Sequence, residues 1–327
     1  MSEVRIVSLG GGTGQARLLK GLKTLLNVVI TAICGVSDSG GSTAKLAEAY
    51  NVSNAIGDWT KCALALSPIP QVAELLEWRF GSPVIEEPKV NLRGHSVKNL
   101  LFTSLQRQLG LMGAVEAMSE FLQIGPHRVL PVALENADLG ASLHGGSIRI
   151  VGETLIDTLA KNPLWEAGRH ALEEVFLEPT ISAQPRVLEA IARAEAVVLS
   201  PGDLFTSLLP ILLVDGVSEA IRQSRAKVIL VPNLMTKAGE TDKFTVTDVL
   251  EWVERYLGRA VDHVVCNNTP VPADILERYM RELKSEMIPN GASVGRDLVY
   301  ADLLDYEDRM VRHHPQKLAK AIAGLIN

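Results

Sequence analysis

Apolar, largely β-branched runs recur along the chain at residues 4–9, 28–36, 129–134, 196–199, 227–231 and 261–266. Polar residues seldom interrupt them, which predicts strands covered on both faces rather than a half-exposed sheet. Between these runs, apolar positions recur at helical spacing over 15–26, 56–66, 97–109, 185–194, 246–256, 272–284 and 315–326. Strand alternating with helix predicts an α/β, Rossmann-like fold, a mainly parallel sheet with helices on both faces. The middle is less regular. Residues 83–89 (PVIEEPK) read as a surface loop, and 141–153 (ASLHGGSIRIVGE) as a hairpin or bent edge strand turning at Gly145 and Gly146. A helical insertion is expected near 155–180, around residues 159–175. No repeat or low-complexity linker divides the chain, so residues 1–327 are read as one domain.

Composition narrows the picture only slightly. The 327 residues are 47% hydrophobic and 21% charged, which is ordinary for a soluble globular protein. A net charge of −6, with no run of five or six basic residues, argues against duplex nucleic acid as a partner and leaves a nucleotide open. Cys34, Cys62 and Cys266 are far apart and form no C-x-x-C pair. They read as small buried hydrophobes in a reduced compartment. No signal peptide and no apolar stretch of about 18 residues is visible, so a cytoplasmic protein without membrane contact is expected.

Candidate chemistry gathers where predicted strands end. The first runs through Gly10, Gly11, Gly12, Thr13 and Gly14 straight into a helix. A strand, a glycine turn and a helix N-terminus together make an anion site, because free backbone N–H groups and the helix dipole both favour negative charge. The spacing matches neither phosphate-loop signature, since Arg17 stands where a third glycine would fall. A merely tight turn is the competing reading.

The second strand leads into GVSDSGGSTAKL at residues 35–46. Here Asp38 could hold a divalent metal or accept from a ribose hydroxyl. Gly40 and Gly41 would let a ligand approach, and Ser42 and Thr43 would cap a helix or meet a phosphate. Gly57 and Asp58 precede another helix, where Asp58 is either an N-cap or a second carboxylate facing Asp38. Arg93, His95, Ser96 and Asn99 crowd a further helix start and read as a ligand wall, with a structural histidine as the alternative. Lys98 beside them is read as solvated. Two more loops follow predicted strands, one with Pro201, Gly202, Asp203, Thr206 and Ser207. The other carries Asn233 and then Gly239, Glu240 and Thr241, with Thr245 capping the next helix.

Together these stretches resemble the family that joins the bacterial gluconeogenesis factor YvcK with CofD, the 2-phospho-L-lactate transferase of deazaflavin coenzyme synthesis. The likeness covers nearly the whole chain. It rests on GGGTG (10–14), DSGGST (38–43), Gly57-Asp58, RGHS (93–96) with Asn99, Gly152-Glu153, SPGDLFTS (200–207) and NLMTKAGET (233–241). The GHS, PGDLFTS and GET stretches and the C-terminal VRHHPQKLAKAI are similar to the YvcK branch. That branch implies a regulator of carbon metabolism and cell-wall growth that binds UDP-sugars. In it the glycine loop would meet the diphosphate, Tyr279 and Arg312 would be ligand contacts, and no cofactor would be needed. The CofD branch implies instead a magnesium ion on Asp38 and Asp58 and transfer of a phospholactyl group from a guanosine diphosphate carrier to a deazaflavin. Departures from the pattern are Ser39 for an aspartate, Lys98 for a glycine and Asp203 for a serine. Losing the aspartate weakens a metal site there. A nucleotide-sugar ligand and a homodimer are the expected partners. An ordinary dinucleotide dehydrogenase fits poorly, because no correct fingerprint is present.

Overall fold

The computed structural model describes residues 3–37, 41–53, 56–81, 92–143, 145–161, 172–282, 284–287, 297–307 and 310–326. The strands in chain order are β1 (Val4–Gly10), β2 (Val28–Cys34) and β3 (Arg128–Pro131), then β4 (Asp138–Leu143), β5 (Ile148–Val151) and β6 (Glu174–Glu178). After them come β7 (Ala196–Leu199), β8 (Lys227–Leu230), β9 (His263–Asn267), β10 (Asp297–Ala301), β11 (Leu304–Glu307) and β12 (Met310–His313). The helices are α1 (Gly12–Leu22), α2 (Gly41–Tyr50), α3 (Ile56–Leu66), α4 (Pro70–Glu77), α5 (Val97–Phe121) and α6 (Glu153–Asp157). They continue as α7 (Pro185–Ala192), α8 (Leu209–Leu212), α9 (Val217–Gln223), α10 (Val246–Leu257), α11 (Ala273–Arg281) and α12 (Pro315–Ile326).

Seven strands form the central sheet in the order β10-β9-β8-β7-β1-β2-β3, and every pairing in it is parallel. From β1 the chain winds outward through β2 to β3; it then returns to β7 on the other side of β1 and winds away through β8 and β9 to β10. The β1–β7 pair is therefore the switch point, where the loops leaving two adjacent strands diverge and open a crevice. Side chains alternate across the sheet. Val7 and Leu9 enter one buried core with Ile33, Val197 and Leu199; Ile6 enters the other with Ile30, Ala32, Ala196 and Val198. Two buried faces explain why these strands read as nearly uninterrupted apolar runs.

Outside this sheet, β4 pairs antiparallel with both β5 and β6, and β11 pairs with β12 as a short hairpin. The hairpin expected over 141–153 is β4–β5, with Gly145 and Gly146 at its turn. The insertion expected as helical near 155–180 is only partly so, because Glu174–Glu178 is a strand completing the three-stranded sheet. Residues 83–89 lie outside the described part.

Several boundaries move for identifiable reasons. Helix α1 starts at Gly12 instead of residue 15 and stops at Leu22, so Leu26 is 86% exposed. The first piece of α5 ends as expected, at Gly110 (φ 74), before a second helical piece. Thr245 accepts from the Asp248 N–H in a capping box that starts α10. Among the described residues no helix is long and apolar enough to cross a membrane.

Candidate functional site

A cavity of about 480 Å³ opens at the β1–β7 switch point. Gly11, Gly12, Thr13 and Gly14 after β1, Gly35 and Ser37 after β2, Pro201, Gly202 and Asp203 after β7 and Asn233 after β8 line it. These are C-terminal ends of parallel strands, where ligands of open α/β sheets bind.

The glycine loop forms the floor. Gly11 is the N-cap of α1, no side chain caps that end, and the first turn holds no acid. Among the described residues the first N–H groups of α1 therefore have no capping side chain, and the dipole adds partial positive charge there. The glycines serve packing as well. A Cβ on Gly11 would overlap the Asp58 carboxylate, and one on Gly14 would overlap the Pro201 carbonyl. Just beneath, Gln15 donates to the Ser8 carbonyl at 3.0 Å and accepts from the Cys62 and Cys34 thiols at 3.2 and 3.7 Å. The three cysteines are free and buried, as their isolation in the sequence predicts. Burial pushes the Cys266 thiol up to about 12.

Asp58 is the third residue of α3 and not its N-cap. Its carboxylate lines the cavity and pairs with Lys61 at 3.4 Å. Asp38, Ser39 and Gly40 lie outside the described residues, so the proposed Asp38–Asp58 pair is represented by Asp58 alone.

The β11–β12 hairpin closes one side. Arg17, buried in α1, donates from Nε to the His313 carbonyl at 2.7 Å and is ion-paired with Asp305. The Tyr279 hydroxyl accepts from the Val311 N–H at 2.9 Å, which ties α11 to the hairpin. Arg312 is carried into the cavity wall with no carboxylate partner among the described residues. His313 is fully buried; burial and the Arg17 charge pull its pKa down to about 3, so the ring is neutral, and its Nε2 has no partner.

On the β7–β8 side, Lys237 sits among three carboxylates. Its Nζ lies 2.7 Å from Asp203 Oδ2 and 2.5 Å from Glu240 Oε1, and it is also paired with Asp157. Burial would lower the ammonium's pKa, but the Glu240 and Asp203 charges and the hydrogen bonds outweigh it and hold it above its ordinary value. Burial raises Glu240, whose Oε2 has no partner. Among the described residues, Asp157, Asp203 and Glu240 are the group spaced for a metal ion. An ammonium already occupies the space between them, so the donor set does not fit one.

Arg93, His95, Ser96 and Asn99 do not line this cavity. His95 Nδ1 is 2.8 Å from Ser42 Oγ, and Asn99 Nδ2 donates to the same oxygen at 3.2 Å, which joins the start of α5 to the start of α2 at Gly41. Ser96 Oγ and Asn99 Oδ1 are buried without partners, while Arg93 is exposed. Lys98, expected to be solvated, is buried and lies 3.6 Å from Glu77; burial lowers its pKa and Glu77 partly restores it.

The structure thus brings Gly11, Gly12, Thr13, Gly14, Asp58, Pro201, Gly202, Asn233, Tyr279 and Arg312 to one cavity and sets the Ser42–Asn99 group apart. Lys61, Lys237, Lys284 and His313 also line the cavity and were not singled out in the sequence. Lys61 and Lys237 each stand three positions from the carboxylate they pair with, Asp58 and Glu240, a spacing too common to mark a site. Arg17 did carry a signal, as the residue breaking the glycine pattern.

The family model described as 2-phospho-L-lactate transferase CofD matches residues 6–304. A putative gluconeogenesis factor of Thermotoga maritima is 37% identical, covering 98% of each chain. A second, from Deinococcus radiodurans, is 38% identical over 98% of this chain, which spans 66% of that relative. The gluconeogenesis factor of Listeria innocua is 33% identical over 98% of this chain and 95% of its own. A crystallised Bacillus halodurans protein superposes with a TM-score of 0.89 at 31% identity, over 98% of this chain and all of its own. The chain belongs to the CofD family and, within it, stands with the gluconeogenesis factors.

Proposed function

We propose that the protein binds a nucleoside diphosphate sugar of the uridine series and acts as a regulator of carbon metabolism and cell-wall growth. The observation that carries this reading is the uncapped N-terminus of α1, opening into the cavity beside Lys61 and the carboxylate-free Arg312. A diphosphate laid there would accept from backbone N–H groups and from a guanidinium at once. The relatives' name, gluconeogenesis factor, supports a role in carbon metabolism. A single-domain cytoplasmic homodimer that needs no metal belongs to the same proposal. Isothermal titration with UDP-N-acetylglucosamine, UDP-glucose and GDP tests it: heat with a UDP-sugar supports it, and heat with GDP alone overturns it.

The presence of Asp58 in the cavity wall is what favours the second reading, a phospholactyl transferase. Catalysis would then come from positioning and electrostatics, with Asp58 among the ligands of a magnesium ion. Asp58→Ala should then abolish transfer from the guanosine diphosphate carrier without unfolding the chain. Unchanged transfer removes that role.

A further inference from the structure

The cavity has two electrostatic halves. On the side of α1, α3 and the hairpin stand the α1 N-terminus and Arg312, with Lys61 paired to Asp58 and Arg17 to Asp305, so Arg312 is the cation there without a carboxylate partner among the described residues. On the β7–β8 side stand Asp203 and Lys237, with Asp157 and Glu240 against the ammonium. One ammonium among three carboxylates leaves that side negative, even with Glu240 protonated. Lys237 is thus already neutralised by protein groups and is no phosphate ligand. The halves adjoin closely, since a Cβ on Gly202 would lie 3.7 Å from the Gly11 carbonyl oxygen, and Asp203 is the next residue.

Asp203 offers a free acceptor to this space. Its Oδ2 accepts a hydrogen bond from Lys237 Nζ at 2.7 Å, while Oδ1 has no protein donor among the described residues. One turn on, Ser207 lines the same wall, and among the described residues its hydroxyl has no hydrogen-bond partner. The two are brought together by the short π-helical turn Leu204–Leu208, in which the Ser207 N–H bonds the Asp203 carbonyl at 2.9 Å. Glu240 behind them is buried with an unpartnered Oε2, and Lys237 is the cation that these three carboxylates share, so it offsets their negative charge only in part. A carboxylate held next to a phosphate cradle repels a further anion and accepts from hydroxyl or amide donors.

We propose that Asp203, with Ser207, is the specificity-determining pair that reads the group beyond the diphosphate, selecting an uncharged, hydroxyl-rich substituent and rejecting another phosphate. This rests on the nucleotide-sugar reading and assigns its second half. The carboxylate oxygen accepts a hydroxyl of the substituent, Ser207 exchanges a further hydrogen bond with it, and Lys237 fixes the carboxylate's orientation. A nucleoside triphosphate would bring its third phosphate against Asp203 and bind more weakly than the diphosphate.

Titration calorimetry on the full chain with UDP-glucose, UDP and UTP tests this, using the ratio of affinities within each variant. The wild type should prefer UDP-glucose to UDP and UDP to UTP. Asp203→Asn should lower the UDP-glucose to UDP ratio at least tenfold and bring UTP up to UDP. Ser207→Ala, which removes no bond within the described fold, should lower the UDP-glucose to UDP ratio several-fold. Ratios unchanged in both variants overturn the assignment. A wild type that binds neither UDP-glucose nor UDP overturns the function proposed above, a distinct outcome.

Discussion

Gly14 and Pro201 pack backbone to backbone across the switch point: a Cβ on Gly14 would lie 2.7 Å from the Pro201 carbonyl carbon and overlap its oxygen. Neither partner is a flexible side-chain end that can swing aside. Gly14→Ala should therefore push the β1 and β7 loops apart and cost about 1–3 kcal/mol, as overpacking does. Urea unfolding of the variant checks this, and a loss under about 0.5 kcal/mol contradicts it.

Arg312 has only the Met310 sulfur, at 3.7 Å, as a described side-chain partner. Its charge is poorly used within the fold. Arg312→Gln is expected to leave the thermal midpoint nearly unchanged and to weaken UDP-sugar binding at least tenfold, the range of a hydrogen bond to a charged group. Equal affinities in calorimetry would remove Arg312 from the anion site.

His313 links stability to pH. Its folded pKa of about 3 lies below the ordinary 6.5. The unfolded chain therefore takes up the proton first as pH falls. The contribution to stability is complete above pH about 6.5 and is withdrawn as pH drops toward 3. Between pH 7 and 5 it amounts to about 2 kcal/mol. In His313→Phe that part of the acid sensitivity should vanish, which urea unfolding at both pH values measures against the wild type.

Lys98 is buried, with its partner Glu77 largely exposed. Holding an ammonium out of water costs more than one pair at 3.6 Å returns. Lys98→Met is expected to be neutral or to stabilise by about 1 kcal/mol, whereas Glu77→Gln should destabilise by leaving the charge unpaired. Thermal melts of the two variants should move in different directions; a large loss in Lys98→Met would disprove the reading.

The strands and main helices were legible because both faces of the sheet are covered. Ala196–Leu199 and Ile56–Leu66 could be read directly, since each carries its burial in its own residue types. Helix α1 was read three residues late, because glycine is a poor helix former and only tertiary contact with Asp58 and Pro201 fixes Gly11 and Gly14. The site was legible where it lies in loops after strands. It was not legible where it depends on side chains from distant segments. Lys237 meets Asp157 across 80 positions and Asp203 across 34, and no local spacing announces such a meeting. The short hairpin that delivers Arg312 has no strong pattern of its own, and that residue came forward only through family likeness.

The ion pair and hydrogen bond of Arg17 reach across 288 and 296 positions, to Asp305 and His313. That distance sets an order of assembly. During synthesis the glycine loop and most strands of the sheet exist long before the hairpin is made, so the growing chain passes through a form whose cavity lacks one side. Arg312, the proposed ligand contact, therefore joins the cavity only after the hairpin has been synthesised, and a message cut short before the hairpin yields a protein with the floor of the site but without its closing wall.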